Sequence, residues 1–214
     1  MKLLSLPIGQ MSSNVYVLRF EKDILIVDAG AFPVSAAISS EDTVHAILCT
    51  HGHFDHFWAV EECVSAYSCR VYAHAADEDL FTSAYGLHGT VRHDHAVTSP
   101  TIPLSDGQIL RSEDFFFSEP RDFTITVLHT PGHSKGSVCY FLEDHEDRES
   151  PPMLFTGDTL FDGTIGRTDF EGGSMDEMRK SLEKIKKLPP ETRIFPGHGE
   201  ASTLKRQIKI NPYM

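Results

Sequence analysis

Apolar residues fall in short runs along the first half of the chain. Asn14–Phe20 (NVYVLRF) and Ile24–Val27 (ILIV) read as two strands joined by a tight turn at Glu21-Lys22-Asp23. Val34–Ser40 reads as a short helix and Val44–Cys49 (VHAILC) as a buried strand. Asp55–Tyr67 reads as a helix, Arg70–Ala73 as a strand and Ala76–Phe81 as another short helix. Periodicity fails from Thr82 to Thr101, where Gly86, Gly89, His93, His95 and Pro100 predict a loop or lid. It resumes in Phe123–His129 (FTITVLH), which alternates as a half-buried strand does, with Ser137–Leu142 as its neighbour and Glu143–Pro152 as a charged surface turn.

Met153–Thr156 and Thr192–Phe195 read as core strands. Between them, Ser174-Met175-Asp176-Glu177 has the form of a capping box. Met175, Met178, Leu182, Ile185 and Leu188 fall three or four apart, so the spacing predicts an amphipathic helix that Pro189-Pro190 ends. Ser202–Lys209 closes the chain as a short helix. Strands, helix and strand, twice over, predict an α/β (α+β) chain forming a single domain over 1–214. Its two similar halves, roughly 1–100 and 101–214, would hold sheets inside and helices outside.

Composition narrows function more than fold. Apolar residues at 40% and charged residues at 23% suffice for a real core. A net charge of −12 argues against nucleic acid and anionic membrane surfaces as partners, because both need clustered Lys and Arg. No apolar run approaches a membrane span, and the first residues do not make a signal peptide. Cys49, Cys63, Cys69 and Cys139 form no CxxC pair, and read as buried free thiols suited to a reducing cytoplasm. The unusual feature is a count of twelve histidines.

Several of these histidines share a context. Thr50-His51-Gly52-His53-Phe54-Asp55-His56 directly follows the strand Val44–Cys49. Neutral imidazole and carboxylate are the donors of zinc, iron and manganese sites. In an extended segment His51, His53 and Asp55 project one way, and a turn at Asp55 sends His56 toward a second position. His133 (in TPGH), Asp158 (in TGDT) and His198 (in PGHG) each stand just past a predicted strand end, beside glycine. Strands of one sandwich end along a common edge, so these donors can converge. Asp158 is the candidate carboxylate to bridge two cations ~3.5–4 Å apart. A lone histidine after a strand is usually structural, but HxHxDH with three spaced partners is not a chance pattern. His93-Asp94-His95, a second HxH, reads as solvated loop.

These motifs resemble the metallo-β-lactamase superfamily: THGHFDH (50–56), TPGH (130–133), GDTLF (157–161), GRTDF (166–170) and FPGHG (195–199), with Asp28 in VDAG. The resemblance spans nearly the whole chain. It implies a four-layer αββα sandwich with a binuclear metal centre at one edge of the sheets. It assigns His51, His53 and His133 to one metal and Asp55, His56 and His198 to the other, with Asp158 bridging and Asp28 orienting a ligand loop. The implied cofactors are two divalent ions, zinc first, with iron and manganese served by the same ligands.

Within the superfamily the chain looks like the glyoxalase II (hydroxyacylglutathione hydrolase) group and its short bacterial single-domain relatives. This implies a bridging hydroxide attacking a small-molecule thioester, with Asp55 orienting the nucleophile and Arg167 binding substrate carboxylate. Gly199-Glu200-Ala201 stand where that group has a tyrosine. The rivals are a mononuclear iron persulfide dioxygenase, using His51, His133 and Asp158, and a lactonase. A cytoplasmic enzyme is expected, and oligomeric state is left open.

Overall fold

The computed structural model describes residues 1–9, 11–31, 37–82, 85–86, 91–92 and 96–214. The first half runs β1 (Lys2–Ile8), β2 (Ser13–Phe20), β3 (Asp23–Val27), β4 (Thr43–Leu48), α1 (Phe54–Phe57), α2 (Val60–Tyr67), β5 (Arg70–Ala73) and a 3₁₀ turn over Ala75–Asp77. Then come α3 (Glu78–Thr82), the short strands β6 (Tyr85–Gly86) and β7 (Val91–Arg92), and β8 (Thr101–Pro103). The second half runs β9 (Ile109–Leu110), α4 (Ser112–Phe115), β10 (Phe123–His129), β11 (Val138–Asp144), β12 (Met153–Gly157), β13 (Leu160–Phe161) and β14 (Thr164–Ile165). It closes with α5 (Met175–Ile185), β15 (Arg193–Pro196), β16 (Ser202–Thr203) and α6 (Leu204–Ile210).

Two six-stranded sheets form, in the orders β1-β2-β3-β4-β5-β8 and β16-β15-β12-β11-β10-β9. Alternation puts one residue set of each sheet between the sheets. Tyr16, Leu18, Leu25, Val27 and Leu48 of the first meet Val127, Val138, Tyr140, Phe155 and Phe195 of the second. The opposite set of the first sheet (Val15, Val17, Ile24, Ile26, Ile47) packs with Phe57, Val60 and Cys63 of α1 and α2. The outer set of the second (Cys139, Phe141, Leu154, Ile194) packs with Met178, Leu182 and Ile185 of α5 and Leu204 of α6. The layers are therefore helix, sheet, sheet, helix, the αββα sandwich of a metallo-β-lactamase fold.

β3, β4, β5 and β8 are mutually parallel, and β12 is parallel to β15. β10 runs with β12, since each is antiparallel to β11. The carboxyl ends of β3, β4, β10, β12 and β15 consequently point to one edge, which is where Asp28, His51, His133, Asp158 and His198 follow. The sheets are tied together there: Val138 N–H donates to the Thr50 carbonyl at 2.8 Å and Tyr140 O–H to the Cys49 carbonyl at 2.6 Å.

The structure departs from the sequence expectations at several points. The helix expected over Asp55–Tyr67 is two helices, because the Ala59 N–H bonds the Ala29 carbonyl and the Ala29 N–H bonds the His56 carbonyl. Those bonds draw the chain onto the Asp28–Gly30 segment and interrupt the helical ladder. The strand at 137–142 continues to Asp144, paired with Phe123. Ser174 accepts from the Glu177 N–H, and α5 gives way to tight turns after Ile185. β1 was not expected; it is an edge strand carrying Pro7, with an exposed Leu4. The helix expected at 34–40 and the stretch at 82–101 lie partly outside the described residues, as do His93 and His95 wholly. All four cysteines are buried and free. Among the described residues no helix is long and apolar enough to cross a membrane.

Candidate metal centre

At the shared edge the imidazole and carboxylate groups converge. His51, His53 and His133 offer one ligand atom each within 4.8 Å of one another, and so do Asp55, His56 and His198, and His51, His56 and Asp158. The second of these sets is close to an equilateral triangle. His198 Nε2 is 3.2 Å and His56 Nε2 3.5 Å from Asp55 Oδ2, with 3.3 Å between the two nitrogens. Tetrahedral donors at zinc-like bond lengths stand about 3.3 Å apart. In the first set His53 Nδ1 and His133 Nε2 lie 2.7 Å apart, within hydrogen-bond distance. Asp158 lies between the sets, with Oδ1 3.3 Å from His56 Nε2, and Oδ2 3.5 Å from His133 Nε2 and 3.6 Å from His198 Nε2.

Two buried polar atoms at this edge lack a well-directed hydrogen bond: His51 Nε2, and Asp158 Oδ1, whose near neighbour is His56 Nε2 at 3.3 Å. An orphaned buried polar atom costs about 1–3 kcal/mol, and a cation at the centre removes both costs. The donor chemistry fits as well. Burial, reinforced by neighbouring imidazoles, pushes His51 well down and His53 down to about 3, leaving the neutral, lone-pair form that ligates. Burial lowers His56 and His198 too, but Asp158 and Asp55 outweigh it and both are raised. Burial raises the Asp158 carboxyl, yet His56, His133 and His198 hold it at about 2. Asp55 is likewise held below the usual carboxylate range, by His56, His198 and Ser13 acting against its burial.

Each set has its own supports. Asp28, in the left-handed region at φ 55°, accepts from the Thr50 N–H and O–H at 2.7 and 2.8 Å, and its Oδ2 lies 2.9 Å from His56 Nδ1. It thus ties His56 to the strand end before His51. Ser13 O–H donates to Asp55 Oδ2 at 2.9 Å. Asn14 Nδ2 donates to the Pro196 and Gly199 carbonyls, and Tyr16 O–H to the Pro196 carbonyl, fixing the His198 loop. A Cβ on Gly197 would collide with Asp158 Oδ1, so glycine there is a packing requirement.

Sequence reasoning missed Ser13, Asn14 and Asp77. Asp77 accepts from the Gly52 N–H, the Gly136 N–H and the Ser134 O–H. None stands in a motif, so no local signal marks them. Arg167 was singled out for its side chain, but its carbonyl is what touches the site, 2.8 Å from His133 Nδ1. Its exposed guanidinium pairs with Asp169 and stacks over Phe170, whose ring packs against His53 and His133.

Known proteins share this fold. The model of the metallo-beta-lactamase superfamily matches residues 8–198. The chain is 34% identical over 221 residues to the uncharacterized protein ML0493 of Mycobacterium leprae, covering 100% of this chain and 99% of that one. It is 31% identical over 221 residues to the "Probable metallo-hydrolase YqgX" of Bacillus subtilis, covering 100% and 98%. Among solved structures it is similar to TTHA1623 in a di-iron-bound form, with TM-score 0.78 and 29% identity over 99% of this chain and 100% of that one.

Proposed function

The chain belongs to the metallo-β-lactamase superfamily, and on that premise we propose that it is a two-metal hydrolase of small thioesters, related in kind to hydroxyacylglutathione. What carries this reading is Asp158 standing between two complete three-donor sets, His51/His53/His133 and Asp55/His56/His198. Zinc suits these donors, as do iron and manganese, and a relative solved with two irons supports double occupancy. Paired divalent cations, when bound, make a shared water acidic near neutral pH and stabilise charge developing on a carbonyl oxygen.

The chain's own residues supply positioning. Ser13 occupies Asp55 Oδ2, leaving Oδ1 to orient the attacking water by accepting its hydrogen bond. Asp28 and the Arg167 carbonyl fix the ring planes of His56 and His133. The Arg167 guanidinium, by exchanging Asp169 for a substrate carboxylate, would anchor the substrate at the rim. The named titratable groups serve as donors or as their supports, so none is left as a dedicated strong acid. That favours a thiolate leaving group, which departs without one as the water oxygen joins the carbonyl carbon and the C–S bond breaks. The buried free thiols suit the cytoplasmic setting expected.

A one-iron persulfide dioxygenase would use only His51, His133 and Asp158, and leave the Asp55/His56/His198 set without a purpose. The test is metal analysis of anaerobically purified protein, with thioester hydrolysis and persulfide-dependent O₂ uptake assayed in parallel. Two metals and thioester cleavage are expected, with one metal and the cleavage lost in His56→Ala. One iron, O₂ uptake that survives His56→Ala and an untouched thioester would reject the reading.

A further inference from the structure

Asp77 is buried at 1% exposure, 25 to 59 residues away in sequence from the groups it binds. Its Oδ2 accepts from the Gly52 N–H at 2.9 Å and the Ser134 O–H at 2.6 Å, and its Oδ1 accepts from the Gly136 N–H at 2.6 Å. Gly52 lies between His51 and His53, and Ser134 directly follows His133. One carboxylate therefore joins the two loops that carry the all-imidazole set. The close approach depends on both glycines. A Cβ at Gly52 would stand 3.1 Å from Asp77 Cβ and 2.6 Å from Leu80 Cβ, and one at Gly136 would stand 2.7 Å from Asp77 Cγ. Among the described residues no hydrogen bond links Asp77 to Asp55, His56 or His198; those are held by Asp28, Ser13 and the loop anchors Asn14 and Tyr16.

We infer that Asp77 is a positioning residue that sets the spacing of His51, His53 and His133, so that cation affinity at this set is controlled separately from affinity at the other. This rests on the two-metal reading. The chemistry is that of acceptors and donors: a carboxylate presents two acceptor oxygens, whereas an amide presents one acceptor and one donor. In Asp77→Asn at least one of the Gly52 and Gly136 N–H groups faces an N–H₂, and that loop moves away. Groups that support ligands in this way typically change metal affinity by about 10- to 100-fold when removed.

The experiment is Co²⁺ titration of the metal-free full chain, following the visible spectrum with a competing chelator. His53→Ala and His198→Ala provide the reference spectra for the second and first sets alone. In Asp77→Asn one of two equivalents should weaken by at least ~10-fold, and the spectrum of the tight equivalent should match that of His53→Ala. Ser134→Ala, which removes one of the three bonds, should show the same change at smaller size and guards against a misfolded Asp77→Asn. Equal weakening of both equivalents, or a remaining spectrum like that of His198→Ala, would overturn the inference. Two tight equivalents in the unmodified chain without thioester cleavage would reject the thioester reading and leave the Asp77 result intact. Failure of the unmodified chain to take up Co²⁺ would overturn both.

Discussion

The two halves of the metal centre solve the same problem with different chemistry. His51, His53 and His133 form a buried all-imidazole set, in which desolvation and neighbouring imidazoles drive the protons off His51 and His53. Asp55, His56 and His198 form a mixed set in which a carboxylate stabilises charged imidazoles, and His198 remains partly open to solvent. The difference tracks exposure, with the His198 and Asp55 side chains 28% and 13% open to solvent. The closed set is fixed from behind by Asp77, whereas the mixed set faces outward and is fixed by residues of β2 and by Asp28. Asp158 spans both, so it is the one donor whose loss should erase the distinction.

The largest effect follows from that. Asp158→Asn should abolish uptake of at least one cation and lower kcat/KM for a thioester on the order of 10³-fold, about 4 kcal/mol of transition-state stabilisation; steady-state kinetics beside metal analysis will read both. Chelation comes next. Metal held at about 1,000 times its Kd contributes about 4 kcal/mol, so stripping it should lower the melting temperature by on the order of 10 °C for a chain of this size, reversed by readdition. A scan showing no change would mean that the centre binds no ion.

Smaller changes separate the sets. Gly197→Ala drives a Cβ into Asp158 Oδ1 and to 2.7 Å from His56 Cε1, whereas Gly52→Ala crowds Leu80 and Asp77. Each should cost about 1–3 kcal/mol of stability, measured by urea unfolding. Only Gly197→Ala should loosen the mixed set, read as the Co²⁺ spectrum of the weakened equivalent.

The smallest effect lies away from the centre and serves as its control. Asp42 accepts both guanidinium nitrogens of Arg19, with a side chain only 4% exposed, and is held at about 2. A depressed carboxyl stabilises the fold fully above its unfolded value near pH 4 and loses that contribution as pH falls toward 2. Asp42→Asn should therefore cost about 1–2 kcal/mol at pH 7 and little near pH 2, with cation affinity unchanged.

How much of this was legible in the sequence depended on distance along the chain. HxHxDH was readable because four donors in six residues, after a strand, have few structural alternatives. His133, Asp158 and His198 were readable through a shared local form, a strand end beside glycine. The supports were not. Ser13 reaches Asp55 across 42 residues and Asp77 reaches Ser134 across 57, and a lone serine or aspartate carries no periodicity or motif. Arg167 shows a subtler limit: sequence reasoning weighs side chains, yet its carbonyl is the group that holds His133. The break between α1 and α2 was invisible for the same reason, since backbone bonds to Ala29 make it.

Anomalous diffraction from crystals grown with the metal tests the centre most directly. Two peaks are predicted, one among His51, His53 and His133 and one among Asp55, His56 and His198, with Asp158 touching both. A single peak, or density away from these seven side chains, would contradict the account.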